Sequence, residues 1–145
     1  MHLGIFEMKL VAKNIHYAVK SLLYIAHEAN KIVPVSELAN KLNMQRASLR
    51  RILQILSKHK ILKSLKGRGG GFELNIQPNK VRIMDIVKIF RGKSNIIYCL
   101  LEKDVFHQLD DCLLMKEMKK IESKLCKALR TITIATLLKS LDRKL

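Results

Sequence analysis

The sequence predicts a mainly α-helical protein with one small β-hairpin and a long helix near its C-terminus. Three observations support this fold class. Apolar residues recur at helical spacing in several separate stretches, two short alternating stretches flank a glycine-rich loop, and a last apolar stripe runs through residues 114–129. A chain of 145 residues suits one compact domain with an appended helix.

The charge of the chain indicates a polyanionic partner. The formal net charge is +16, and residues 1–93 carry 18 basic against 5 acidic side chains. Residues 94–145 carry 10 against 7, so the positive charge is concentrated in the N-terminal part. Nucleic acid is the first expectation and a membrane surface the second, while a merely soluble lysine-rich protein is the plain alternative.

Several classes of protein are disfavoured. No apolar run reaches the roughly 18 residues that a membrane span needs, and no signal-peptide pattern is present, so we expect a cytoplasmic protein with no membrane partner. An enzyme is not expected, because the sequence shows no nucleophile with a plausible base, no paired carboxylates and no dinucleotide fingerprint.

The N-terminal part predicts a helix-turn-helix. Residues 1–9 are expected to form a short tail, and apolar spacing from Ile15 to Ala26 predicts a first helix of about five turns. Ser36 is the expected N-cap of a short second helix, and a third helix is expected from about Arg46. Asn43 between them tolerates the left-handed conformation of a tight turn.

A hairpin follows the third helix. Residues 61–65 and 72–76 alternate as strands, and residues 66–71 form the glycine-rich loop between them. Because the loop joins two strands instead of a strand and a helix, it does not fit a nucleotide-phosphate loop. A short helix is expected to end near Arg91, and Thr133 is expected to cap a last helix from Ile134 to Leu141.

The third helix and the hairpin loop together predict a DNA-binding surface. Polar and cationic residues lie on the helix opposite its apolar stripe, where they could meet base edges and phosphates. The cations beside the glycines could follow the backbone or enter a narrow minor groove. A solvated cationic helix and a plain flexible hairpin are the alternatives. The expected DNA-binding residues are Arg46, Ser48, Arg50, Arg51, Lys66, Arg68, Gly69 and Gly70.

The sequence resembles a family of small bacterial winged helix-turn-helix regulators. This family includes the iron–sulfur cluster assembly regulator, the nitric-oxide-sensing repressor and the cysteine-metabolism repressor. The matching stretches are Tyr17-Ala18, Leu22 to Ala26, Val35 to Ala39, Leu49 through Leu56, Lys66 to Phe72, Val81 to Val87 and Thr131 to Ile134 with Leu137. The specific part of the match is the glycine-rich hairpin loop, called the wing in this family, followed by the segment Val81 to Val87.

The resemblance implies a homodimer that binds a palindromic operator in double-stranded DNA, with repression as the expected action. It also implies a division into a DNA-binding domain over residues 1–92, a sensor segment over 93–111, and a dimerisation helix with a C-terminal helix over 112–145. The apolar stripe on residues 114–129 independently needs a surface to cover it, either a second protomer or its own domain.

The resemblance further implies an iron–sulfur cluster site, which this chain matches only in part. Cys99 and Cys112 match the first and last of three family cysteines, but the middle position, near Phe106, has none. A two-iron two-sulfur cluster is expected in preference to a four-iron four-sulfur one. It needs four protein ligands, and His107 and the partner protomer's copy of His16 could complete the set. The alternative is a cluster-free regulator that responds to a small molecule, a protein partner or thiol oxidation. Cys126 is expected to be a packing residue.

Overall fold

The computed structural model describes residues 3–91 and 113–143, and it confirms a mainly helical chain with one hairpin. Its elements are α1 (Leu3–His27), α2 (Val35–Leu42), α3 (Arg46–Lys58), β1 (Leu62–Leu65), β2 (Gly71–Leu74), a 3-10 turn (Pro78–Lys80), α4 (Ile83–Arg91), α5 (Leu113–Thr131) and α6 (Ile134–Asp142). The whole of the expected sensor segment, residues 93–111, lies outside the described residues.

Two sequence predictions about the N-terminal region are wrong. The expected tail belongs to α1, which begins at Leu3 and runs for 25 residues, or about seven turns. No proline interrupts this stretch, so the helix continues beyond its apolar stripe. The N-cap of α2 is Pro34 and not Ser36. The Pro34 ring fixes its φ at −68° in extended backbone, while its carbonyl accepts the first helical hydrogen bond from the Leu38 amide at 3.2 Å.

The helix-turn-helix is formed by α2 and α3 as predicted. Asn43 ends α2 in the left-handed conformation, with φ of 50°. Met44 is buried behind this turn, and its amide donates to the Ala39 carbonyl at 3.0 Å. The turn therefore lets α3 leave at a sharp angle while both helices bury their apolar faces in one core. Buried members of that core include Ala18, Leu22, Leu38, Leu49, Leu53, Leu56, Leu62, Phe72, Val81, Ile86 and Ile134.

The hairpin is antiparallel and slightly shifted from the predicted strands. Leu62 pairs with Leu74 at its base, and Leu65 pairs with Gly71 beside the loop. Val33, in the connection between α1 and α2, adds a third backbone pairing. Its amide donates to the Phe72 carbonyl at 2.8 Å, and the Phe72 amide donates back to the Val33 carbonyl at 2.9 Å. The hairpin is thus attached to the residue that leads into the helix-turn-helix.

A polar network fixes α1 against α2. The Tyr24 hydroxyl donates to Glu37 Oε1 at 2.8 Å, and Lys31 Nζ donates to the same oxygen at 3.1 Å. The hydrogen bond to the Glu37 carboxylate raises the pKa of Tyr24 to about 12, with burial contributing in the same direction. The hydrogen bonds from Tyr24 and then Lys31 lower the pKa of Glu37, because they stabilise its charged form.

The C-terminal helices are attached to the same core. Thr133 caps α6 as predicted, since its side-chain oxygen accepts from the Thr136 amide at 3.1 Å. The Ile134 amide donates to the Val81 carbonyl at 2.9 Å, and the Ile83 amide donates to the Ile132 carbonyl at the same distance. Ile134 is fully buried. Among the residues described, no helix is both long and apolar enough to cross a membrane.

Two glycines of the hairpin should respond differently to alanine substitution. A Cβ on Gly69 would meet open space, so Gly69→Ala should be destabilised only by its φ of 72°, by about 1–2 kcal/mol. A Cβ on Gly71 would collide with the Val33 carbonyl and approach the Pro34 nitrogen at 2.9 Å. We therefore expect Gly71→Ala to lose more free energy of unfolding in urea titrations. Equal losses for the two variants would contradict this account of the attachment to Val33.

Candidate nucleic-acid interface

The third helix separates its apolar and cationic sides completely. Leu49, Leu53 and Leu56 are fully buried, and Ile52 is nearly so. The side chains of Arg46, Arg50 and Arg51 are exposed, and Gln54 continues the same polar side. Burial of the apolar side leaves α3 with no freedom to rotate, so the core fixes which residues point outward.

The electrostatics of α3 favour an anion. The helix contains three arginines and one lysine and no acidic residue. Arg46 at the first helical position adds to the positive end of the helix dipole instead of compensating it. The Gln45 and Ser48 side chains are joined by a hydrogen bond of 3.3 Å from Ser48 Oγ to Gln45 Oε1, which places a polar pair beside Arg46. This end of α3 can therefore offer both charge and hydrogen-bonding groups to a polyanion.

The hairpin loop places two further cations in solvent. Lys66 and Arg68 are exposed, as is Gly69. Gly70 is half-buried, and its amide donates to the Gly67 carbonyl at 3.0 Å. A Cβ on Gly70 would collide with the Leu65 carbonyl oxygen. The tight loop itself thus requires glycine at this position, which weakens the argument that its lack of a side chain serves a close approach to DNA.

The loop is fixed relative to α3 at the base of the hairpin. The Ile61 amide donates to the Leu56 carbonyl at 3.0 Å, and Lys60 adopts a φ of 61° to make this turn. The Asn75 side-chain amide donates to the Lys60 carbonyl at 2.9 Å, which ties the far strand to the end of α3. The cations of the helix and of the wing are consequently carried by one framework.

Only one of the four expected cluster ligands lies among the described residues. His16 is exposed on α1, with its ring 6.4 Å from that of Tyr17 between centroids. Cys99, His107 and Cys112 lie outside the described residues. Within residues 3–91 and 113–143, no group of three or more His, Cys, Asp or Glu side chains could hold a metal ion. Cys126 is half-buried on α5.

Sequence patterns did not indicate three contacts that position the interface. The Val33–Phe72 pairing and the bonds of Tyr24 and Lys31 to Glu37 join residues that are distant in the sequence. The ion pair from Arg91 Nη1 to Glu122 Oε1, at 4.0 Å, joins α4 to α5. For these contacts the sequence offered one signal, the acidic Glu37 in the first turn of α2. A carboxylate is favoured at that position by the helix dipole, but this preference does not reveal which side chains bind it.

A family model and a named relative match this chain over most of its length. A family model described as "Rrf2: Iron-dependent Transcriptional regulator" matches residues 11–140. A protein of Aquifex aeolicus, which is assigned by name to the HTH-type transcriptional regulators, is 28% identical over 131 residues, covering 89% of this chain and 91% of the relative.

Two solved structures share the fold. The structure of IscR from T. potens has a TM-score of 0.72 at 21% identity, and covers 88% of this chain and 85% of its own. The structure of CymR, the global cysteine regulator of B. subtilis, has a TM-score of 0.70 at 17% identity, and covers 88% of this chain and 94% of its own.

The matched family and the named relative are transcriptional regulators and not enzymes. The family match extends over the helix-turn-helix, the wing and both C-terminal helices. This chain belongs to the Rrf2 family of transcriptional regulators.

Proposed function

We propose that this regulator binds a palindromic operator in double-stranded DNA as a homodimer and acts as a repressor. The observation that carries the proposal is the exposed side of α3, which holds three arginines and no acid while its opposite side is buried in the core. In a helix-turn-helix, such a helix enters the major groove with its N-terminal residues against base edges.

The candidate residues divide into two roles. Arg46, Ser48 and Arg50 lie toward the N-terminal half of α3, where they would read base edges by hydrogen bonds. Arg51, on the same half, would contact a phosphate. Lys66, Arg68 and the backbone amide of Gly69 would hold the DNA backbone at the wing, and Gly70 would lie beside it with its own amide bonded to the Gly67 carbonyl. Phosphate contacts position a protein on DNA, whereas contacts to base edges supply its specificity.

Variants of α3 and of the wing should differ in their effect on specificity. Arg50→Ala should weaken binding to the selected operator by about 1–3 kcal/mol and relax the preference at one base pair. Lys66→Ala should weaken binding to all duplexes and lower the slope of log K against log salt by about 1. Fluorescence anisotropy with operator and scrambled duplexes at several salt concentrations measures both effects. The assignment of roles is wrong if Arg50→Ala weakens both duplexes equally.

The partner surface is proposed on α5. Ile121 is 58% exposed and Leu125 is 40% exposed. Together with Met118 and Ala128 they recur at alternating spacings of three and four, the spacing of a helix that packs along another helix. Glu122 and Leu129 face the chain's own domain instead, where Glu122 pairs with Arg91 and Leu129 packs against the core. A second protomer therefore has an uncovered apolar stripe to bury.

A charge in that stripe should prevent dimerisation. We expect Ile121→Glu to shift the protein from dimer to monomer in sedimentation equilibrium, because the charge would be buried without a partner. Ile76→Glu is the matched control, since Ile76 is also an exposed isoleucine, 36% exposed, but follows β2 near the hairpin. A dimer that survives Ile121→Glu would contradict the proposed interface.

We further propose that the sensor segment holds an iron–sulfur cluster of the two-iron two-sulfur type. Support comes from the family, some of whose members hold iron–sulfur clusters, and from a donor set of two thiolates and two imidazoles, which equals the four ligands required. Cys99, Cys112 and His107 would contribute from one protomer and His16 from its partner. The exposed position of His16 on α1 is compatible with that role. The cluster would supply sensitivity to redox state, iron or nitric oxide.

The cluster proposal has a direct test. Protein purified without oxygen should show visible absorption and stoichiometric iron and sulfide, and both should be lost in Cys99→Ser but kept in Cys126→Ser. Colourless, iron-free wild-type protein would contradict the proposal. Regulation that then still depended on Cys99 and Cys112 would indicate thiol oxidation, and regulation independent of both would indicate a small molecule or a protein partner.

A further inference from the structure

The charges of α5 are sorted by side in a way that dimerisation does not require. The helix carries six cations and two acids. The cations are Lys116, Lys119, Lys120, Lys124, Lys127 and Arg130, and all six are exposed. Since successive residues of a helix advance by about 100°, five of them fall on the side away from the stripe formed by Ile121 and Leu125, whereas Lys124 lies beside that stripe. We call this side the cationic face.

The two acids lie away from the centre of the cationic face. Glu122 is directed toward Arg91 on α4, and Glu117 lies at the edge of the apolar stripe. Glu117 pairs with Lys120 at 3.0 Å. Within the described part of the chain, no ion pair holds the other five cations. A helix face that serves only solubility commonly mixes both signs and gains from i, i+4 pairs. Here like charges are neighbours, which is unfavourable until an anion neutralises them.

The dimensions of the cationic face suit a duplex. From Lys116 to Arg130 the helix rises by about 21 Å. Double-stranded DNA carries about one negative charge per 1.7 Å of its axis, so a parallel stretch of the same length presents about twelve phosphates. The five cations of this face are therefore fewer than the phosphates that such a stretch presents. Lysine is well suited to such contacts, because it acts as a point charge and needs no fixed geometry.

We propose that the cationic face of α5 is a second DNA-backbone contact, separate from α3 and the wing. This inference rests on the proposed operator binding by a dimer, because the apolar stripe must be covered by the partner for the cationic face to be the remaining exposed side. Its ligand is the sugar-phosphate backbone of the DNA that flanks the operator. It adds affinity without adding sequence preference.

The test uses the full-length dimer and a variant with four substitutions: Lys116→Gln, Lys119→Gln, Lys127→Gln and Arg130→Gln. Its matched control replaces the three lysines by arginine and Arg130 by lysine, which keeps every charge. The probes are a short duplex with only the selected operator and the same operator with long flanks. A bridging assay measures capture of a labelled duplex by an immobilised one. Circular dichroism and sedimentation confirm that each variant is a folded dimer.

The sources of the backbone give different results. For flanking DNA, the neutralised variant should lower the salt slope on the long duplex by about 3–4 for each protomer that contacts the flanks, with little change on the short one. A variant that loses bridging while it binds each single duplex normally would show that the face binds a second duplex, and would overturn the proposed contact with flanking DNA. The charge-keeping control should behave as wild type in both cases, and the ratio of operator to scrambled binding should stay unchanged.

Other results would overturn the inference. Unchanged salt slopes together with unchanged bridging would leave the cationic face with no role in DNA binding. If the neutralised variant instead loses binding only to phosphatidylserine vesicles, the face binds a membrane surface and not DNA. These failures are distinct from failure of the proposed operator recognition, which Arg50→Ala would reveal by leaving specific binding intact.

Discussion

The reciprocal backbone pairing of Val33 with Phe72 is the constraint on which the geometry of this regulator depends. It joins the start of the helix-turn-helix to the second strand of the wing. Without it, the hairpin would be a two-stranded ribbon attached only by its base, and such ribbons are marginally stable by themselves. The absence of a Cβ on Gly71 allows the strands to approach the Val33 carbonyl. A glycine that looks like part of a DNA-contacting loop therefore has a structural role in joining two units.

Attachment of the wing determines what α3 can do. A recognition helix discriminates between bases only if its side chains are held within narrow limits, and in the proposed complex the wing is the second point of contact that fixes the angle of the protein on the duplex. The turn at Lys60 and the side chain of Asn75 connect the two contacts at their base. The network of Tyr24, Lys31 and Glu37 performs a similar task behind α2, because it prevents α2 from sliding along α1.

The long helix α5 has three sides of different character. One side packs on the chain's own domain through Glu122 and Leu129, and a second side carries the apolar stripe. The third side carries the lysines. Any movement of α5 relative to α4 would be transmitted to the pairing of Ile134 with Val81 and Ile83 with Ile132, since α6 follows α5 directly. This connection is a short mechanical path between α5 and the helix-turn-helix with its wing.

The sequence by itself determined the elements whose signals are local. Helical spacing from Leu49 to Leu56 placed the core side of α3, Asn43 marked the turn, and Thr133 marked the start of α6. Local signals also led to errors. Ser36 is a good capping residue, but Pro34 already terminates the preceding extended segment, and the N-terminal helix extends beyond the apolar pattern that revealed it. The side of α3 available to DNA followed from the sequence because burial of four apolar residues leaves only the opposite side exposed.

Only the tertiary structure decided how these elements are joined. The attachment of Gly71 to Val33, the partners of Glu37 and the seating of Ile134 link positions far apart in the chain, and no local pattern encodes such a pairing. The structure also distinguished the glycines, since Gly70 and Gly71 are required by neighbouring carbonyl groups whereas Gly69 faces open space. The physical reason is that periodicity reports whether a residue is inside or outside, but the identity of its neighbour depends on how the whole chain closes on its core.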